Sequence, residues 1–159
     1  MTEKITFTYD FIQERCNDNS SKIKSEFNPD VILAIGGGGL IPARMLRKNI
    51  DVPIYVVTLS TYDENNNPID TPREIQWMDF SELKDKRILI VDEVDDTRKT
   101  LMYLVDKLVN KEGLNRDNLG VFVIHNKLKE KYESNKGLDV SFYLACDDVA
   151  GVWIVYPWE

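Results

Sequence analysis

Four short apolar runs set the rhythm of the 159-residue chain: Val31–Ile35, Ile54–Leu59, Ile88–Val91 and Val121–Ile124. Each is rich in β-branched residues and nearly unbroken rather than alternating, as in strands buried on both faces of a parallel sheet. The segments between them carry helical spacing. Leu40 to Lys48 places Leu40, Ala43, Met45 and Leu46 on one side, and Thr100 to Val109 carries Leu101, Leu104, Val105 and Leu108 as a stripe. An earlier helix is expected over Asp10 to Glu26, with Phe11, Ile12 and Ile23 inward. This alternation predicts an α/β sheet covered by helices on both faces, with ligands at the carboxyl ends of the strands. The loops after Ile35, Leu59, Val91 and Ile124 are therefore where chemistry is expected.

Thr61 to Pro72 departs from the rhythm, being polar, Asn-rich and interrupted by two prolines. A loop of about twelve residues is uncommon inside a compact domain. It reads either as a surface excursion or as a lid over a reactive intermediate.

The composition is that of an ordinary globular chain, 43% apolar and 30% charged, with no internal repeat or linker. A net charge of −7 argues against a nucleic-acid partner but leaves room for a small phosphorylated ligand held locally. Cys16 and Cys146 give neither zinc spacing nor a disulfide framework. With no apolar leader near the N-terminus and no membrane-length run, a cytoplasmic protein without membrane contact is expected.

The most informative segment runs from Arg87 to Leu101, RILIVDEVDDTRKTL. A buried strand ends in Asp92 and Glu93, a short loop follows, and a helix begins near Thr100. Backbone N–H groups at such a junction suit a phosphate, with Thr97 and Thr100 adding hydroxyls and Arg98 or Lys99 adding charge. Carboxylates at the strand tip suit ribose hydroxyls and a magnesium ion. The same residues could equally be an acidic turn capping an amphipathic helix.

Ile88 to Leu101 closely resembles the signature by which type I phosphoribosyltransferases hold phosphoribosyl pyrophosphate (PRPP). The pattern as far as Tyr156-Pro-Trp-Glu159 resembles the xanthine/hypoxanthine-guanine branch, over roughly residues 28 to 159. The resemblance implies a mainly parallel twisted sheet flanked by helices, within one domain over 1–159. Its core would cover roughly 28–127, with a small purine-binding hood over 128–159 plus the N-terminal segment. By position, Asp92 and Glu93 would hold the ribose hydroxyls and Mg2+, with Glu93 the better metal ligand. Asp96, Thr97, Arg98, Lys99 and Thr100 would cradle the 5′-phosphate, and Asp96 would accept the purine N7 proton. Ser60, Thr61 and Tyr62 would belong to the lid. Where most of the family has glycine, this chain has Arg98, which must accept that backbone geometry or contact phosphate itself.

Gly36, Gly37, Gly38 and Gly39 follow the first core strand, freeing the backbone to approach a pyrophosphate. A bare tight turn is the alternative. Neither a G-x-G-x-x-G fingerprint nor a P-loop is present, which disfavours a dinucleotide dehydrogenase. The resemblance places the pyrophosphate here and implies a cis bond at Gly36–Gly37. Relatives usually carry a basic residue at Gly37, so Arg44 or a neighbouring subunit would supply the charge.

Lys127 follows the fourth apolar run, and Val152 to Trp158 is aromatic-rich. A lysine at O6 favours a 6-oxopurine over adenine, and an aromatic face stacks a base. A solvated lysine and a core strand are the ordinary readings. The resemblance gives Lys127 the O6 contact, Trp153 the stacking face, and the carbonyls of Trp153 and Ile154 the 2-position edge. His125 is assigned no catalytic role. The implied activity is transfer from PRPP to hypoxanthine, guanine or xanthine in a homodimer or larger homo-oligomer. The alternatives are a PRPP-sensing regulator without turnover and a transferase for adenine or a pyrimidine.

Overall fold

The computed structural model describes residues 2–159; Met1, counted in the expected domain, lies outside them. In chain order the strands are β1 (Lys4–Thr6), β2 (Val31–Ile35), β3 (Ile54–Tyr62), β4 (Pro68–Gln76), β5 (Ile88–Asp95), β6 (Leu119–Lys127), β7 (Phe142–Val149) and β8 (Trp153–Val155). The helices are α1 (Tyr9–Glu26), α2 (Leu40–Arg47) and α3 (Lys99–Asn110). A six-stranded sheet runs β4-β3-β2-β5-β6-β7, parallel throughout except for the β3–β4 pair. β1 and β8 form a separate parallel pair, with Ile5 opposite Ile154.

The central strands read as unbroken apolar runs because each of their faces meets a different core. Ile32, Ala34, Leu89, Val91, Phe122 and Ile124 pack towards Ile12, Cys16 and Ile23 of α1 and Ala43 and Leu46 of α2. Their alternating neighbours Leu33, Ile35, Ile90, Val121 and Val123 pack with Leu101, Leu104, Val105 and Leu108 of α3. Period-two geometry thus divides one apolar sequence between two layers. Thr8 caps α1, its hydroxyl accepting the Phe11 N–H at 3.1 Å.

Four sequence expectations need correction. Leu40, expected on the apolar side of α2, is exposed, because it opens the helix beside the glycine turn. The polar stretch from Thr61 to Pro72 is not an open loop but the far half of a β-hairpin. Its turn, Asp63 to Asn67, is tied by the Asp63 carboxylate accepting N–H groups of Asn65 and Asn67. β4 is mostly exposed and lies at the sheet edge, where proline is tolerated. The sheet also crosses the boundary expected near residue 128, since β7 is its sixth strand. Finally, all peptide bonds are trans among the described residues, Gly36–Gly37 included. Gly37 makes the turn at φ 90° instead, a conformation open to a residue without Cβ. Among the described residues, no helix is long and apolar enough to cross a membrane.

Leu104 is fully buried between α3 and the sheet. Leu104→Ala should cost about 2–5 kcal/mol, through lost transfer energy plus a cavity. The shift in urea midpoint at unchanged slope measures it.

Candidate active site

The parallel strands bring their carboxyl ends to one edge of the sheet. β2 runs out into the glycine turn, β5 into the loop at Asp96, and β6 ends at Lys127, with Asp95 opposite Asn126. The sequence-predicted acid pair, phosphate loop, glycine run and lysine therefore meet at that edge.

Asp92 and Glu93 are both partly buried near the end of β5. The Asp92 carboxylate accepts the Glu93 N–H at 3.0 Å. Burial, and then the neighbouring Glu93 charge, push the Asp92 carboxyl well above the usual carboxylate range. The Glu93 carboxylate fills the space that a Cβ on Gly38 would occupy. Glycine at 38 thus lets the Glu93 carboxylate lie directly against the glycine turn.

The backbone behind Glu93 is fixed by a short relay that the sequence did not reveal. The Tyr156 hydroxyl donates to the Glu93 carbonyl at 3.1 Å and lies 2.9 Å from His125 Nδ1. A carbonyl can only accept, so the hydroxyl must receive its second bond from His125, whose proton therefore sits on Nδ1. His125 is fully buried against Phe7 and Phe11, and Nε2 has no partner among the described residues. Burial pushes its pKa down to about 4, which keeps the ring neutral. No local sequence signal marks the relay, because His125 and Tyr156 lie 31 residues apart.

In the loop after β5, Arg98 adopts the left-handed conformation at φ 70° and caps α3. Its guanidinium turns back, donating to Asp95 Oδ2 from Nε at 3.0 Å and from Nη2 at 2.7 Å, and lies 5.4 Å from the Tyr143 ring centre. Tyr143 donates to the same oxygen at 2.7 Å. Arg98 thus accepts the geometry that glycine would supply, and its guanidinium is paired with Asp95. Lys99 Nζ donates to the Ile69 carbonyl of the hairpin at 3.0 Å. Thr97 is exposed, and Thr100 lies in the first turn of α3.

Asp96 lies between two lysines, with Lys127 Nζ at 3.2 Å and Lys129 Nζ at 3.0 Å. Burial raises the Asp96 pKa, but bonds from Lys129 and Lys127 outweigh it and hold the carboxylate below its ordinary value. Lys127 Nζ also stands 6.0 Å from the ring centre of Trp153, which is 56% exposed. Ile154 is buried beside it, and β8 is anchored by the Trp153 N–H to the Glu3 carbonyl at 2.9 Å. Ser60, Thr61 and Tyr62 end β3 at the mouth of the hairpin, with Tyr62 exposed. A separate cleft of about 450 Å³ lies between α3, the hairpin and residues 132–139, sharing only Lys99 with these groups.

The phosphoribosyl transferase domain model matches residues 8–158. This chain belongs to that family. The hypoxanthine-guanine phosphoribosyltransferase of Schizosaccharomyces pombe is 39% identical, over 98% of this chain and 89% of its own length. Xanthine phosphoribosyltransferase 1 of Saccharomyces cerevisiae is 34% identical, over 99% of this chain and 90% of its own. Among solved structures, a hypothetical protein from Neisseria gonorrhoeae with bound ppGpp superposes with a TM-score of 0.85 at 37% identity. It covers 100% of this chain and 90% of that one. The phosphoribosyltransferase fold accounts for the common edge at which acid pair, loop and lysine converge.

His125 is the only histidine of the chain, so its titration can be followed without assignment. We expect an NMR pKa near 4 rather than the ordinary 6.5. A depressed histidine favours the folded state fully above pH 6.5, and that contribution is lost as the pH falls towards 4. The loss should reach about 3 kcal/mol in urea titrations between pH 7 and 4.

Proposed function

We propose that this chain is a purine-salvage transferase that joins hypoxanthine, guanine or xanthine to PRPP. The observation that carries this reading is the placement of Lys127 over the exposed Trp153 face and beside Asp96, one strand from the acid pair. An ammonium donor above an aromatic platform suits a base whose 6-position accepts a hydrogen bond. The names of the two yeast relatives support the same substrate class.

In this reading Asp92 and Glu93 accept hydrogen bonds from the ribose hydroxyls, and the loop from Asp96 to Thr100 holds the 5′-phosphate. The glycine turn from Gly36 to Gly39 receives the pyrophosphate. Its missing charge partner is exposed Arg44 on α2 or a second copy of the chain. Two adjacent carboxylates, one raised by burial and then by the charge of the other, fit a magnesium ion that also takes substrate oxygens. When bound, that ion would neutralise charge on the departing pyrophosphate. The C1–pyrophosphate oxygen bond breaks with its electron pair on the leaving group, N9 of the purine bonds to C1, and the N7 proton passes to Asp96. Purine O6 gives Lys127 an alternative partner, so base binding loosens the pairing that holds Asp96 weakly basic. The hairpin ending in Ser60, Thr61 and Tyr62 acts as the lid that excludes water.

A second reading is a chain that binds its nucleotide ligand for regulation without turnover. The ppGpp held by the Neisseria gonorrhoeae relative favours it. Parallel assays with PRPP, magnesium and each of hypoxanthine, guanine, xanthine and adenine separate the two. We expect nucleotide from the 6-oxopurines and not from adenine; PRPP binding without turnover of any base would select the regulatory reading.

Asp96 must be ionised to accept a proton, and its depressed pKa keeps it so at lower pH than an ordinary aspartate. The acid limb of kcat/KM should therefore lie below the usual carboxylate range and move upward in Lys129→Ala. Asp96→Asn should lower kcat by roughly 10²–10⁴ while PRPP affinity changes little. An equal loss in both would remove Asp96 from the proton-accepting role.

A further inference from the structure

Lys131 lies outside the strand that carries Lys127, yet its side chain is only 13% exposed. Its ammonium donates to three carbonyls, those of Asp95 at 2.8 Å, Asp96 at 2.7 Å and Lys127 at 2.8 Å. Those bonds use all three of its donors. The next residue continues the pattern, because the Tyr132 N–H donates to the Thr97 carbonyl at 2.7 Å. Three successive carbonyls of the loop are therefore gripped from one side.

In a planar trans peptide the N–H points opposite to the C=O of the same unit. With the carbonyls of Asp95, Asp96 and Thr97 held towards residues 131 and 132, the N–H groups of Asp96, Thr97 and Arg98 face the other way. None of these three donates to a protein acceptor among the described residues. Successive unpaired N–H groups ending at a left-handed residue form a concavity that takes an anion. The far end is pinned separately, by the Arg98 guanidinium and the Tyr143 hydroxyl on the buried Asp95 carboxylate. Lys131 Nζ also stands 3.7 Å from Asp95 Oδ1, so the pinning carboxylate and the gripping ammonium belong to one buried cluster.

We infer that Lys131 is a positioning residue that pre-sets the phosphate nest of Asp96, Thr97 and Arg98 without touching the phosphate. This rests on the reading of that loop as the 5′-phosphate site. Lys131→Met keeps the length of the side chain and removes every donor. It should weaken ribose 5-phosphate binding, measured by calorimetry, by tenfold or more. In turnover assays it should raise KM for PRPP by a similar factor, with KM for hypoxanthine changed less than twofold. Unchanged ribose 5-phosphate affinity, or an equal rise in both KM values, overturns the assignment.

A measurement on the unaltered protein covers the case in which the variant fails to fold. Adding ribose 5-phosphate to 15N-labelled protein should move the amide signals of Asp96, Thr97 and Arg98 most. Shifts confined to other loops overturn the nest. Ribose 5-phosphate binding through these amides, with no base converted, would sink the proposed transfer reaction and leave the role of Lys131 standing. Absence of any ribose 5-phosphate binding would sink both.

Discussion

A parallel strand has to leave the sheet at its carboxyl end and return by a crossover, and the geometry of this molecule follows from that. β2, β5 and β6 all discharge at the same edge, so three segments far apart in sequence arrive side by side. The in-register pairing of Asp95 with Asn126 sets how far the acid pair stands from the end of β6. Beyond the last ladder bond the backbone has unpaired polar groups, which must find side chains, water or a ligand. The edge is therefore both the least satisfied region of the fold and the best suited to chemistry.

Asp95 shows how that edge is kept rigid. Its carboxylate is buried, which is costly for a charge unless it is paired and hydrogen-bonded. Arg98 and Tyr143 bond to one oxygen while Lys131 stands near the other. Those contacts offset the burial and also hold Arg98 in the left-handed conformation, at a cost of about 1–2 kcal/mol for a residue with Cβ. A glycine at 98 would take that conformation freely but could not anchor the loop. Here the loop exchanges backbone freedom for a buried charged lock.

The sequence was most legible where one physical demand dominated. Apolar runs with two buried faces announced β2, β5 and β6, and the stripe from Leu101 to Leu108 announced α3, because burial alone dictates those residues. β4 was hidden because an edge strand with two exposed faces and two prolines has the composition of a loop. The acid pair, the loop after it and the glycine run stood out as candidates because such residue types sit at adjacent positions, whereas Lys127 was singled out only through the family resemblance. Lys131, Tyr143, Tyr156 and His125 were not, since each acts on the backbone or on another side chain across a long sequence separation. A lysine whose role is to hold carbonyls looks, in sequence, like any solvated lysine.

The overall charge of −7 and the need to bind a polyanionic substrate are reconciled at this same edge. Arg98, Lys127, Lys129 and Lys131 converge on Asp95 and Asp96. The two carboxylates keep the four cations positioned and partly neutralised before any ligand arrives. Around Asp95 and Asp96 alone the cations outnumber the carboxylates, but Asp92 and Glu93 stand at the same edge and offset them. What the loop offers a phosphate dianion is therefore the preorganised N–H dipoles of Asp96, Thr97 and Arg98 rather than a basic surface. A compact anion thus finds unpaired N–H donors at the sheet edge even though the chain as a whole is acidic.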